Sequence, residues 1–133
     1  MRLPVAAICM WMLMPCAAYS SPCQGVIEVL TDQRKGDLAR ALSKQLEVPS
    51  VKVLQSFGVG GWRIVYVDPP QSDSVFLFYS QDPIKARYLT LWGGAARRSE
   101  TENIEKWTRK NAPGIPAPLA KCFAWYVTNG RDH

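Results

Sequence analysis

The sequence predicts an α+β domain: an antiparallel meander of four to five strands packed against two or three helices, closed by one disulfide. Three observations carry this. The apolar period switches from 3.6 to 2 near residue 51 and returns to a helical pattern near residue 99. The strand-like runs in between are joined by short loops, which suit antiparallel neighbours, whereas parallel strands need longer crossovers. Two cysteines, Cys23 and Cys122, bracket almost all of this.

Before the domain comes Arg2, followed by "LPVAAICMWMLMPCAA" (3–18), an apolar run of 16 residues. A helix spanning a bilayer needs roughly 20. A basic start, an apolar centre and a small-residue exit read as a secretory signal peptide over 1–20, with cleavage after Ser20 or after Ala18. The competing readings are a membrane anchor or a buried N-terminal helix. Pro15 and Pro22 precede Cys16 and Cys23, where lipid attachment wants a small residue. The expectation is a periplasmic or secreted protein with no stable membrane insertion after cleavage.

Removing 20 of the 133 residues leaves 113, enough for one domain over 21–133. The full chain has a formal charge of +5, and only Arg2 among its charged residues leaves with the leader, so the mature chain carries +4. That balance suits weak attraction to acidic surfaces and falls short of a nucleic-acid signature. Cys9 and Cys16 also leave. Cys23 and Cys122 are then expected to pair, the alternative being two inert buried thiols. No metal site is expected: the single histidine is His133, and two lone cysteines lack ligand spacing.

Taken in order, "GVIEVL" (25–30) is short and ambiguous. "GDLARALSKQLEVP" puts Leu38, Ala41, Leu42 and Leu46 on one face of a helix over 37–47, with Asp37 at its start and Pro49 beyond its end. "VKVLQSF" (51–57) and "WRIVYV" (62–67) flank "GVGG", read as a hairpin with a four-residue loop. "SVFLFYS" supplies a strand over 75–79, with Val75, Leu77 and Tyr79 on one face and Phe76 and Phe78 on the other. Both faces are apolar, so helices must cover them. "RYLTLW" completes the meander over 88–92. Ser99 and Glu102 then form a capping box opening a helix over 99–111, and "APGIPAP" ends it. For 119–129, Leu119, Cys122, Phe123 and Tyr126 fit a helix while the composition fits a strand; a helical turn running into a strand is the expectation.

"LWGGAARRSE" raises the question of function. Glycines before a helix can cradle a phosphate, but no P-loop or G-x-G-x-x-G pattern occurs, and the acids of the capping box repel anions. A glycine turn letting the chain leave the sheet is the reading adopted. Catalysis is not expected. A nucleophile–histidine site needs an internal histidine, and the carboxylates Asp68, Asp73 and Asp82 all sit in turns, where Asp serves local hydrogen bonds. No cofactor is expected. The remaining candidates are Trp92, Arg97 and Arg98, residue types that dominate contact energies, as a surface for an acidic protein or envelope component. The resulting expectation is a non-catalytic exported domain that binds another macromolecule, inhibitor-like or accessory. Two other readings are a small-molecule carrier with an apolar pocket between sheet and helices, and a carboxylate-based hydrolase.

Overall fold

Alternating apolar residues pair four strands in chain order: β1 (Lys52–Val59), β2 (Trp62–Asp68), β3 (Val75–Tyr79) and β4 (Thr90–Gly93), every neighbour antiparallel. The computed structural model describes Arg2 and residues 21–131, so the expected leader over 1–20 falls, Arg2 apart, outside the described residues. Three α-helices accompany the sheet among them: α1 (Asp32–Leu46), α2 (Thr101–Asn111) and α3 (Ala117–Trp125). The α+β meander read from the sequence is the observed fold, and none of these helices is long and apolar enough to cross a membrane.

Both faces of the sheet are covered. Val65, Val67, Leu77 and Tyr79 pack with Leu38 and Leu42 of α1. On the opposite face Phe57, Ile64, Phe76 and Phe78 pack with Ile104 of α2 and with Leu119, Ala120, Phe123 and Val127. Fully burying side chains of this size stabilises by roughly 1.5–3 kcal/mol each, so the two layers together supply most of the driving force. β1 serves both layers by means of a bulge. The register shifts between Val53 and Gln55, which turns Val51 and Val53 toward α1 and Phe57 toward α2 and α3.

Cys23 and Cys122 are bonded, with their Cα atoms 4.5 Å apart and 99 residues of sequence between them. The bridge lies in the core beneath α3, and both cysteines are buried. It holds the 21–27 turn against the sheet, where the Gly58 N–H donates to the Val26 carbonyl (2.8 Å) and the Glu28 N–H to the Ser56 carbonyl (2.9 Å). These bonds cover the outer edge of β1.

Four boundaries differ from the sequence reading. α1 begins at Asp32, five residues before Asp37, because Thr31 caps it by accepting from the Arg34 N–H at 3.1 Å; Gly36 is inside the helix. The hairpin loop has two residues, since Val59 pairs with Trp62, and Gly60 takes the left-handed conformation (φ 58°) that such a turn requires. The Ser99 capping box is displaced. Ser99 sits within a 3-10 turn (Arg98–Glu100), α2 starts at Thr101, and the Arg97 N–H donates to Glu100 Oε2 at 2.7 Å. Finally, 119–129 contains no strand: α3 runs into a π-helical turn (Tyr126–Gly130). Leu119, Ala120, Phe123, Ala124, Val127 and Thr128 are all buried, which is a double stripe at helical spacing.

The cap assignments are separable by mutation. Thr31→Ala should cost about 1 kcal/mol by removing a capping oxygen, whereas Ser99→Ala should stay within about 0.5 kcal/mol. Urea unfolding of the two variants checks this, and the reverse order would misplace both helix starts.

Candidate functional site

One row of side chains crosses three strands on the α2/α3 face. Tyr66, Phe76 and Trp92 are directly paired across β2, β3 and β4. The Tyr66 and Phe76 rings stack at 4.0 Å and 4° between planes. Trp92 lies 6.0 Å from Phe76 and 5.6 Å from Phe123, both edge-on or tilted. The Arg131 guanidinium covers the row at 6.0, 5.7 and 5.6 Å from the Tyr66, Phe76 and Trp92 ring centres. Its Nη2 donates to the Gly94 carbonyl at 2.8 Å. A guanidinium over aromatic faces is attracted by their negative quadrupole, so Arg131 pins the last described residues onto the end of β4.

The chain then leaves the sheet at Gly94, whose φ of 114° is closed to residues with a Cβ. Ala96 is buried and anchors the loop, while Ala95, Arg97 and Arg98 are exposed. The loop's far end is tied down as well. Thr101 Oγ1 and Thr128 Oγ1 are 2.8 Å apart, and Thr128 donates to the Ala124 carbonyl at 2.7 Å. Between the 3-10 turn and the π-helical turn lies a groove of about 690 Å3, lined by Ala95, Ala96, Arg97, Arg98, Glu100 and Thr128. A smaller hollow of about 230 Å3 opens on the other side of the same loop, between Trp92, Asn103, Ile104 and Trp107.

The structure thus brings Trp92, on β4, next to the loop that carries Arg97 and Arg98. The strand continues to Gly93, and the Trp92 ring is half-buried on Phe76 and Phe123. Arg97 and Arg98 differ electrostatically from four other arginines of the chain. Arg34, Arg40, Arg63 and Arg109 each pair with a carboxylate: Asp82, Asp37, Glu28 and Glu105 respectively. Arg97 and Arg98 have no carboxylate partner among the described residues. Two cations are therefore held beside each other on a fixed loop, with their charge directed at solvent. Arg131 belongs to the same neighbourhood and was not among the expected site residues. Nothing local in "TNGRD" signals it, because its partners are 65 and 55 positions away at Tyr66 and Phe76.

The loop that delivers β4 is fixed from the other side of the sheet. Buried Tyr79 donates its hydroxyl to Gln45 Oε1 at 2.8 Å, and Gln45 Nε2 donates to the Pro83 and Ala86 carbonyls at 2.9 and 3.1 Å. Burial, with Tyr88 adding, pushes the Tyr79 hydroxyl well above the ordinary tyrosine range, so it stays a neutral donor. Arg34 bonds Asp82 at 3.1 Å, and the Ile84 N–H donates to the same carboxylate. That backbone donor, then Arg34, holds the Asp82 carboxyl below its usual range despite partial burial. Asp68 accepts from Ser74 at 3.0 Å across the β2–β3 turn. These carboxylates are engaged in holding turns. Compared with models of protein families, with curated proteins and with solved structures, the chain matches none.

Proposed function

We propose that the chain is an exported, non-catalytic domain that binds an acidic macromolecule, inhibitor-like or accessory, through Trp92, Arg97 and Arg98. One observation carries the reading: two adjacent arginines without a carboxylate partner among the described residues share an anchored loop beside a half-buried tryptophan, while Arg34, Arg40, Arg63 and Arg109 are each paired with an acid. A loop backbone that is already anchored costs little to order on binding, and guanidinium groups meet carboxylates bidentately. The disulfide, and the apolar run at 3–18, support an oxidising periplasmic or extracellular setting. The carrier reading finds less support. The space between sheet and helices is filled by Phe57, Phe76, Phe78 and Phe123, and the 690 Å3 groove is lined by two alanines beside Arg97, Arg98, Glu100 and Thr128.

The test is the Arg97→Ala, Arg98→Ala double variant. It should unfold at the same temperature as the parent, because neither guanidinium supports another part of the fold. A protein captured from an envelope extract by the parent, then purified, should bind the variant at least about tenfold more weakly at low salt, equivalent to a loss of roughly 1.4 kcal/mol. Equal affinity at low ionic strength, where charge attraction is least screened, would reduce the basic loop to solvated surface.

A further inference from the structure

The two edges of the sheet are unlike. The edge of β1 is covered by the 26–28 segment through the Gly58–Val26 and Ser56–Glu28 backbone bonds. β4 lies at the other edge and pairs only with β3 among the described residues. A strand so placed presents alternate N–H and C=O groups to solvent, which is a template for a further strand. Leu89, just before β4, and Leu91 within it are exposed, at 51% and 40%. The stretch of chain that carries this edge is basic. Between Asp82 and Glu100 the sequence holds Lys85, Arg87, Arg97 and Arg98 and no acid. Arg87 precedes β4 and the arginine pair follows it, so cations flank the open edge at both ends, and Arg87, like the pair, has no carboxylate partner among the described residues.

We infer that the open edge of β4 accepts an extended segment of a partner protein as a fifth strand, with acidic residues at both ends of that segment meeting Arg87 on one side and Arg97 and Arg98 on the other. This rests on the proposed acidic-partner reading and specifies the form in which the partner arrives. Main-chain hydrogen bonds to β4 supply affinity in such an addition, and flanking side chains supply selectivity. The four residues of β4 extend about 13 Å, so a short linear segment suffices. A second copy of the chain does not fit. Pairing two β4 strands, parallel or antiparallel, sets the basic flanks of one copy against those of the other, and like charges across such a pair repel.

The probe is a nine-residue peptide, Asp-Asp-Val-Thr-Val-Thr-Val-Asp-Asp, tested against the mature disulfide-bonded chain. Its N–H groups point alternately to the two sides of the strand. N-methylation at alternate residues therefore blocks the side facing β4 in one register and the free side in the other. One methylated series should bind at least about tenfold more weakly than the parent peptide and the other should bind within about threefold of it, since each lost backbone bond is worth roughly a kcal/mol. Amide hydrogens of 90–93 should gain protection from exchange in the complex, and a peptide with lysines in place of the aspartates should bind at least about tenfold more weakly. Equal binding by both methylated series, with Arg97→Ala, Arg98→Ala still weakening it, removes the added strand and leaves the arginine contact standing. Methylation-sensitive binding that ignores peptide charge overturns the acidic selectivity and the arginine reading together. Absence of binding at millimolar peptide, or self-association of the chain that the peptide does not displace, overturns the inference outright.

Discussion

Replacing Cys23 and Cys122 together with alanine is expected to destabilise the mature chain by about 4–5 kcal/mol and to lower its Tm by about 15–20 °C. The size follows from the 99-residue separation, which closes nearly the whole domain into one loop in the unfolded state. Domains of this kind are stable by only roughly 5–15 kcal/mol, so the bridge supplies a large share. The native state loses something too. Cys23 begins the segment whose Val26 and Glu28 backbone groups cover β1, and Ile27 bridges Phe57. Without the bond this segment is free to peel away, uncovering a second sheet edge and exposing Val26. Denaturant unfolding of the oxidised parent and the double variant measures the difference, and thiol titration of the unreduced, unfolded parent should find no free thiol. A loss under about 1 kcal/mol would show that packing holds the two ends without the bond.

What the residues disclosed in advance depended on how local the deciding physics was. In "SVFLFYS" every position from Val75 to Tyr79 is apolar, and the assignment of odd and even residues to opposite layers follows from the pleat alone; the structure has Leu77 and Tyr79 on α1 and Phe76 and Phe78 on α3. The pairing of Cys23 with Cys122 followed from elimination. The start of α1 has a sequence signal, Thr31 followed by Asp32, which Gly36 masks by breaking the apparent helix. The segment 119–129 was ambiguous for a physical reason. Phe123, Tyr126 and Val127 have strand preferences, which burial on both α2 and the sheet overrides. With that segment read as a strand, Arg131 could not be placed over β4. The bulge at Leu54 has only a faint sequence signature: Val53 and Gln55 would share a face in a regular strand, and the apolar alternation of "VKVLQSF" breaks there. The site was half legible: Arg97, Arg98 and Trp92 by residue type and spacing, the packing of Trp92 on Phe76 and Phe123 and the position of Arg131 not at all.

Phe76→Ala should be among the most damaging single substitutions in the domain, at about 3–5 kcal/mol. Phe76 is fully buried at the crossing of the aromatic row and the helical layer. Its ring lies 4.0 Å from Tyr66, 5.1 Å from Phe123, 6.0 Å from Trp92 and 6.1 Å from Tyr126. Truncation leaves a void bounded by rings on several sides, and a sheet braced by paired strands on both flanks of β3 cannot collapse to fill it. Aromatic pairs of these geometries add roughly 0.5–1.5 kcal/mol beyond the area they bury, and several are lost at once. Trp92→Ala should cost less, because that residue is only partly buried and sits on the edge strand. The comparison also separates stability from contact. Trp92→Ala removes the aromatic part of the proposed surface from a chain that still folds, so it should weaken partner binding at temperatures where the variant remains native. Phe76→Ala leaves Trp92, Arg97 and Arg98 in place and removes no surface group, since Phe76 is fully buried, so binding should fall in step with the folded fraction. Urea unfolding and affinity measured on both variants decide it. If Phe76→Ala cost less than Trp92→Ala, the aromatic row would be braced from β4 inward and the order of support along it would be reversed.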